Sequence, residues 1–311
     1  MKDLRVVFMG TPEFSVPVLK ELINSTNVVL VVTQPDKPVG RKRVLTPSPV
    51  KVVAEEAGIS VFTPDRLRKD VQPVLDADPD IIITCAFGQI VPKEILDYPG
   101  LGCINVHASL LPKYRGASPI NAVIRDGEEE TGITIMYMDE GIDTGDMIYS
   151  KAIPIEENDT YGTLSEKLSI LGAETLMKVM PKIYEEENFR IKQDDEMANY
   201  VGLIKREDTL IDFNTTRKEV HNLVRSLNPV PLAYTTIDGD DWKIIETKIG
   251  EEKTGEIGTI SSVSKDSFGI MTKDGEILVT KIKPFGKKEM LVKDFFNGYK
   301  KEDLLNKKVG E

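Results

Sequence analysis

The chain has 311 residues, 40% of them hydrophobic and 29% charged, which is enough for two domains that each bury a core. A formal net charge of −11 argues against a protein that coats nucleic acid non-specifically. No stretch approaches the length of a membrane span, and the opening Met1-Lys2-Asp3-Leu4-Arg5 lacks the pattern of a secretory leader, so a cytoplasmic protein is expected. Cys85 and Cys103 sit in apolar runs without metal-ligand spacing and are expected as buried free thiols.

In chain order, Leu4 to Met9 reads as a strand that ends in Gly10-Thr11-Pro12, followed by a helix from Ser15 to Ile23 and a strand from Val28 to Thr33. Pro49 to Glu56 reads as a helix, and Asp80 to Ala86 and Gly102 to His107 as buried strands. Ser118-Pro119 supplies an N-cap and first helical residue for a helix that runs to Asp126, with Gly127 beyond it. Thr134 to Met138 and Met147 to Ile153 read as strands, and Thr163 to Glu186 as a long amphipathic helix. This alternation predicts an α/β domain with a largely parallel sheet covered by helices on both faces.

The pattern changes near residue 190. Residues 190–207 are polar and irregular, a predicted linker between residues 1–189 and 208–311. Thr215 is the predicted N-cap of a helix that runs to Leu227, and five short strands follow: Leu232 to Ile237, Trp242 to Ile249, Gly258 to Val263, Phe268 to Thr272 and Ile277 to Ile282. Strands of this number and length, broken by Asp-Gly and Asp-Ser turns, predict a small OB-like barrel. Lys281 to Lys308 holds nine lysines against four acids, a locally basic stretch in an acidic protein.

His107 is one of two histidines and lies two residues from Asn105 on a predicted strand, so the imidazole and the amide share a face at the strand's end. A structural histidine is the plainer reading for His107 taken singly. The segment from Asp139 to Asp146 gathers four carboxylates between two strands without the spacing of a calcium loop, and one of them could lie beside His107 and orient it. A dinucleotide cofactor is excluded because GxGxxG is missing and Pro12 removes an amide that a phosphate would need. A serine triad lacks its Gly-x-Ser-x-Gly elbow, and zinc hydrolysis lacks ligands at useful spacing, so no metal is expected. An amide donor, one imidazole and a carboxylate suit acyl transfer without a covalent enzyme intermediate.

Asn105-x-His107, Ser109-Leu110-Leu111-Pro112, Tyr114-Arg115-Gly116 and Asp143 within G-I-D-T-G-D together resemble the signature of the folate-dependent formyltransferases. The opening F-M-G-T-P-E-F, the loop Q-P-D-K-P-V-G-R-K-R and the barrel-like end narrow the likeness to members that act on initiator methionyl-tRNA. The resemblance implies a Rossmann-like first domain that binds 10-formyltetrahydrofolate and an OB-like second domain that helps hold the tRNA. It implies Asn105, His107 and Asp143 as the catalytic trio, and a folate site lined by Ser109, Leu110, Leu111 and Pro112, with Phe87, Gly88, Ile90 and Asp139. Arg41, Lys42 and Arg43 would contact the tRNA acceptor end, and the enzyme would work as a monomer; for three clustered cations alone, an exposed surface loop is the plainer reading. The rivals are a formyltransferase acting on a small amine, expected to need neither basic loop nor barrel, a formyl-folate hydrolase, and a non-catalytic RNA-binding protein.

Overall fold

A computed structural model describes residues 1–40, 42–185 and 190–310. The chain divides into two compact units, neither of them continuous in sequence. The first comprises Met1–Pro119, Glu130–Pro154 and Ser165–Val201; the second comprises Ile120–Glu129, Ile155–Leu164 and Gly202–Glu311.

The elements up to the division near residue 201 are β1 (Arg5–Gly10), α1 (Val16–Ser25), β2 (Asn27–Val32), β3 (Lys37–Val39), β4 (Val44–Thr46), α2 (Pro49–Glu56), β5 (Val61–Phe62), α3 (Gln72–Asp76), β6 (Ile81–Cys85), α4 (Lys93–Leu96), β7 (Cys103–His107), β8 (Arg115–Gly116), α5 (Pro119–Arg125), β9 (Glu130–Tyr137), β10 (Met147–Pro154), α6 (Tyr161–Tyr184) and β11 (Tyr200–Val201). The main sheet has the order β10-β9-β7-β6-β1-β2-β5. From β5 to β7 all neighbours are parallel, and β9 and β10 add an antiparallel hairpin at one edge. Central strands read as unbroken apolar runs (Val6, Val7, Phe8, Met9; Ile81, Ile82, Ile83) because both faces are covered, and all of these side chains are buried.

The chain starts in the middle of this sheet, builds outward through β2 to β5, and returns to place β6 on the other side of β1. Strand order therefore reverses between β1 and β6, and a crevice at the strands' carboxyl ends is the expected place for a ligand. Loops there are tied together: Thr11 Oγ1 donates to the Phe87 carbonyl at 2.9 Å, and Gln34 Nε2 donates to the same carbonyl at 3.1 Å. On the sheet's face, Gly172 of α6 packs so close to Val106 of β7 that an added Cβ would lie 3.0 Å from Val106 Cγ1.

The basic segment and the predicted linker differ from the sequence expectation. The basic segment is a hairpin formed by β3 and β4, whose six residues are all exposed and so show no alternation of apolar and polar side chains. Residues 190–201, expected within the linker, belong to the first unit, where β11 pairs in parallel with β8. Two-residue strands carry no periodic signal, which is why neither was visible.

In the second unit, α7 (Arg217–Ser226) is capped by Thr216 rather than Thr215. The reason is Glu219: a capping box needs Glu three residues after the cap, and Thr216 meets that spacing. The strands β12 (Ala233–Ile237), β13 (Asp240–Ile249), β14 (Ile260–Val263), β15 (Phe268–Met271) and β16 (Glu276–Lys283) form an antiparallel sheet in the order β12-β13-β16-β15-β14. An additional strand, β17 (Met290–Leu291), pairs with β16 and leads into α8 (Val292–Phe295). The last residues close the sheet on itself. Val309 N–H bonds the Gly258 carbonyl ahead of β14, and Gly310 N–H bonds the Thr236 carbonyl of β12, so both edges are paired. Inside lie Ile244, Phe268, Ile270, Ile277, Val279 and Ile282 together with Val220 and Val224 of α7.

Glu276 is a buried carboxylate of this unit. Burial alone would push the Glu276 carboxyl up, but hydroxyl groups of Ser261 and Ser262 and the Lys253 ammonium bond it and hold it below its ordinary value. A depressed carboxyl adds stability that is present above its unfolded value, near 4.3, and is lost as pH falls through the folded value. Glu276→Gln is expected to remove this contribution, so the variant's unfolding free energy should fall less steeply than the parent's on acidification below about pH 5, as measured by urea titrations at a series of pH values.

Candidate active site

Asn105 and His107 occupy alternate positions near the end of β7 and therefore face the same way. In the neighbouring strand Thr84 lies in register with Asn105, and its hydroxyl donates to Asn105 Oδ1 at 2.8 Å. That bond fixes which end of the amide is the acceptor and leaves Nδ2 as the outward donor. His107 is 5% exposed and its Nε2 stands 3.0 Å from the Tyr114 carbonyl. A carbonyl only accepts, so Nε2 carries the hydrogen of this bond and Nδ1 is the nitrogen turned toward the site.

Asp143 completes the group. Its Oδ1 lies 3.4 Å from Asn105 Nδ2 and 3.6 Å from His107 Nδ1. Its Oδ2 accepts the Gly116 N–H at 2.8 Å. Of the four carboxylates between Asp139 and Asp146, Asp143 is thus the one beside the imidazole. Asp139 does different work: its Oδ1 accepts Gly141 N–H at 3.0 Å and the Thr144 hydroxyl at 2.7 Å, which closes the turn that presents Asp143.

The expected folate residues lie on three loops, after β6, β7 and β9. Ser109 is fully buried and its hydroxyl donates to the Lys113 carbonyl at 2.7 Å, so it shapes its own loop. Leu111 is buried with its N–H on Thr134 Oγ1, whereas Leu110 and Pro112 are half-buried. Phe87 packs in the core beneath the crevice; Gly88 and Ile90 are exposed, with Ile90 76% accessible. In the basic hairpin Lys42 and Arg43 are exposed at the tip, and Arg41 lies outside the described residues. Several lysines of the 281–308 stretch are paired within their unit, Lys281 with Glu246 and Glu289, Lys307 with Asp238 and Lys308 with Glu256, while Lys283, Lys287 and Lys288 are exposed.

Burial pushes both Cys85 and Cys103 up to about 12, so neither thiol is a nucleophile near neutral pH. Among the described residues no cluster of three or more His, Cys, Asp or Glu side chains is arranged to hold a metal ion. An amide donor, an imidazole and a carboxylate converging beside a sheet crevice remain, a set suited to moving an acyl group and a proton.

The sequence profile of the formyl transferase family matches residues 4–180, more than half of the chain, and that of the formyl transferase C-terminal domain matches residues 203–300. The chain belongs to the formyl transferase family. It is 48% identical over 309 residues to the methionyl-tRNA formyltransferase of Macrococcus caseolyticus, covering 99% of each chain. Among solved structures, WlaRD, a sugar 3N-formyl transferase determined in the presence of dTDP and 5-N-formyl-THF, shares the fold at a TM-score of 0.68 and 23% identity, over 93% of this chain and all of the other. HypX from Aquifex aeolicus in complex with tetrahydrofolic acid aligns at a TM-score of 0.65 and 15% identity; this chain spans about half of it, 95% of the present residues matching 47% of that chain.

The likeness to WlaRD over 93% of the chain is one of fold. Other residues that hold the group of Asn105, His107 and Asp143 together were not singled out in sequence. Thr84 is an ordinary residue of a buried strand. Gly116 was visible only as part of Tyr114-Arg115-Gly116, without a role. Gln193 lies in polar, irregular sequence and gave no signal at all.

Gly116 has φ +110°, and a Cβ built on it would lie 2.3 Å from the Val201 carbonyl oxygen. The glycine is therefore required twice, by its backbone conformation and by the pairing of β8 with β11. Gly116→Ala is expected to destabilise the protein by roughly 1–3 kcal/mol, measured by urea unfolding, because the backbone must leave its conformation or the strands must part.

Proposed function

We propose that this formyl transferase carries the formyl group of 10-formyltetrahydrofolate to the α-amino group of methionine on initiator tRNA. The observation that carries the reading is the match to a methionyl-tRNA formyltransferase at 48% identity along 99% of both chains. Folate derivatives named with WlaRD and HypX support a folate donor.

In this reading the methionyl amine attacks the formyl carbon, a carbon–nitrogen bond forms, and the bond from that carbon to the folate nitrogen breaks. An α-amine has a reference pKa near 8, so a substantial fraction is already nucleophilic at neutral pH. Asn105 Nδ2 donates to the formyl oxygen as negative charge builds there. His107, acting through Nδ1 or through a water, carries the proton lost by the amine toward the leaving folate nitrogen. Asp143 orients both groups and stabilises positive charge on the imidazole when it forms. Phe87, Gly88, Ile90, Asp139 and the 109–112 loop would line the folate site. Arg41, Lys42 and Arg43 would meet tRNA phosphates, and residues 208–311 would add a second tRNA contact, with the whole acting as a cytoplasmic monomer. Among the described residues no helix is long and apolar enough to cross a membrane.

Incubation with 10-formyltetrahydrofolate and either charged initiator tRNA or small amines, including an amino-sugar nucleotide, tests the reading directly. Formyl should appear on the methionyl-tRNA alone, and His107→Ala and Asp143→Ala should lower that turnover by orders of magnitude with the fold intact by circular dichroism. Formylation of the sugar amine in preference to the tRNA would overturn the acceptor assignment, and near-normal turnover in either variant would remove that residue from the chemistry.

Phosphate contacts release counterions and weaken as salt rises. Neutralising Arg41, Lys42 and Arg43 together should raise KM for charged tRNA and flatten its salt dependence, while folate binding measured by fluorescence titration stays at the parent level. Equal loss of both would mean misfolding instead.

A further inference from the structure

Asp143 has φ +54°, in the left-handed region, which Asp enters more readily than most residues but still at a cost that surrounding bonds offset. Both of its ends are held from one place. Gly116 N–H bonds its carboxylate Oδ2 at 2.8 Å. Gln193 Nε2 bonds its backbone carbonyl at 2.8 Å and the Gly145 carbonyl at 2.7 Å. Gln193 in turn is fixed by the residue next to Gly116: Arg115 donates to Gln193 Oε1 through Nε at 3.0 Å and Nη2 at 2.9 Å. Two donors on one oxygen decide which way the amide faces, and so point its Nε2 at the loop that carries Asp143.

Arg115 is itself immobilised. It is 2% exposed, yet its guanidinium bonds Asp195 at 2.7 Å and the Tyr200 hydroxyl at 3.0 Å, and lies 5.6 Å from the centre of the Tyr200 ring. Burial lowers its affinity for the proton, but the bonds to Asp195 and Tyr200 outweigh that and raise it. A buried guanidinium with its donors satisfied is rigid, and removing a partner leaves a costly unmet charge. The backbone repeats the arrangement, with Arg115 N–H on the Asn199 carbonyl at 3.0 Å and Ala117 N–H on the Val201 carbonyl at 2.9 Å.

We propose that Gln193 and Arg115 are positioning residues for formyl transfer, a clamp that fixes Asp143 against Asn105 and His107. The proposal rests on the reading in which Asp143 takes part in that transfer. It gives residues 190–201 a role: they are a strap laid across β8 whose side chains set the geometry of a carboxylate about fifty positions earlier, Gln193 being 50 residues from Asp143. Nothing in the clamp touches substrate in this account, so its loss should act on turnover and not on binding.

The test is a mutant cycle with 10-formyltetrahydrofolate and charged initiator tRNA. Gln193→Glu keeps an acceptor for Arg115 and the side chain's shape but loses both N–H donors; Gln193→Ala loses everything. Both are expected to lower kcat by roughly ten- to a hundredfold with KM for either substrate changed less than about twofold, since a displacement near 1 Å in a reacting group is enough for such a loss. In an Asp143→Ala background the same substitutions should have almost no further effect on the residual rate, because the group they position is gone. Parent-like kcat in Gln193→Glu, or an equal fold-loss in both backgrounds, would overturn the clamp; the second result would reveal a general defect of folding. Parent-like turnover in Asp143→Ala alone would instead bring down the reading of Asp143, and the clamp's purpose with it.

Discussion

A carboxylate that stands beside an amide and an imidazole has to be held by its remaining atoms, because the oxygen that faces them makes no short bond. Asp143 Oδ1 is 3.4 Å from Asn105 Nδ2 and 3.6 Å from His107 Nδ1, whereas its Oδ2 is bonded at 2.8 Å to the Gly116 N–H. The rest of the site follows from that requirement. Gly116 must offer its amide, so it cannot carry a side chain where the Val201 carbonyl approaches. Thr84 must hold the other end of the Asn105 amide, and Tyr114 must take the Nε2 hydrogen of His107. Each partner is a backbone group or a neighbour on an adjacent strand, and such groups lose little entropy in being ordered.

The parallel sheet supplies the rigid base for this arrangement. β7 is buried on both faces, so Asn105 and His107 extend from a strand that cannot shift without opening the core. The loop that carries Asp143 has no such base. It is held by an Asx-type turn at Asp139 and by the 190–201 strap, which pairs with β8. A strand end is rigid by packing; a loop becomes rigid only where specific hydrogen bonds replace packing.

Much of the first unit was legible because its signals are local and periodic. Runs such as Val6-Val7-Phe8-Met9 and Ile81-Ile82-Ile83 are long enough to mark buried strands, and Pro49 to Glu56 forms the helix its N-cap and proline announce. The hairpin at Lys37–Val39 and Val44–Thr46 was not legible, since strands exposed on both faces have no hydrophobic pattern. At the start of α7 the choice between Thr215 and Thr216 turned on one side chain, Glu219, three residues away from only one of them. The closure of the second sheet by Val309 and Gly310 was beyond reach for a related reason: it joins segments far apart in the chain through backbone bonds that leave no trace in side-chain type.

For this protein the sequence by itself determined the fold class, the pairing of Asn105 with His107 on one strand face, and the family, because these depend on residue types at fixed short spacings. Only the tertiary structure decided how Asp143 stands against the imidazole, which imidazole nitrogen is left toward the site, and that Gln193, from a stretch that reads as a linker, meets both Arg115 and the backbone of Asp143. Hydrogen bonds between residues 50 or 78 positions apart are fixed by how the strands and loops pack, and no local pattern of residues encodes that meeting.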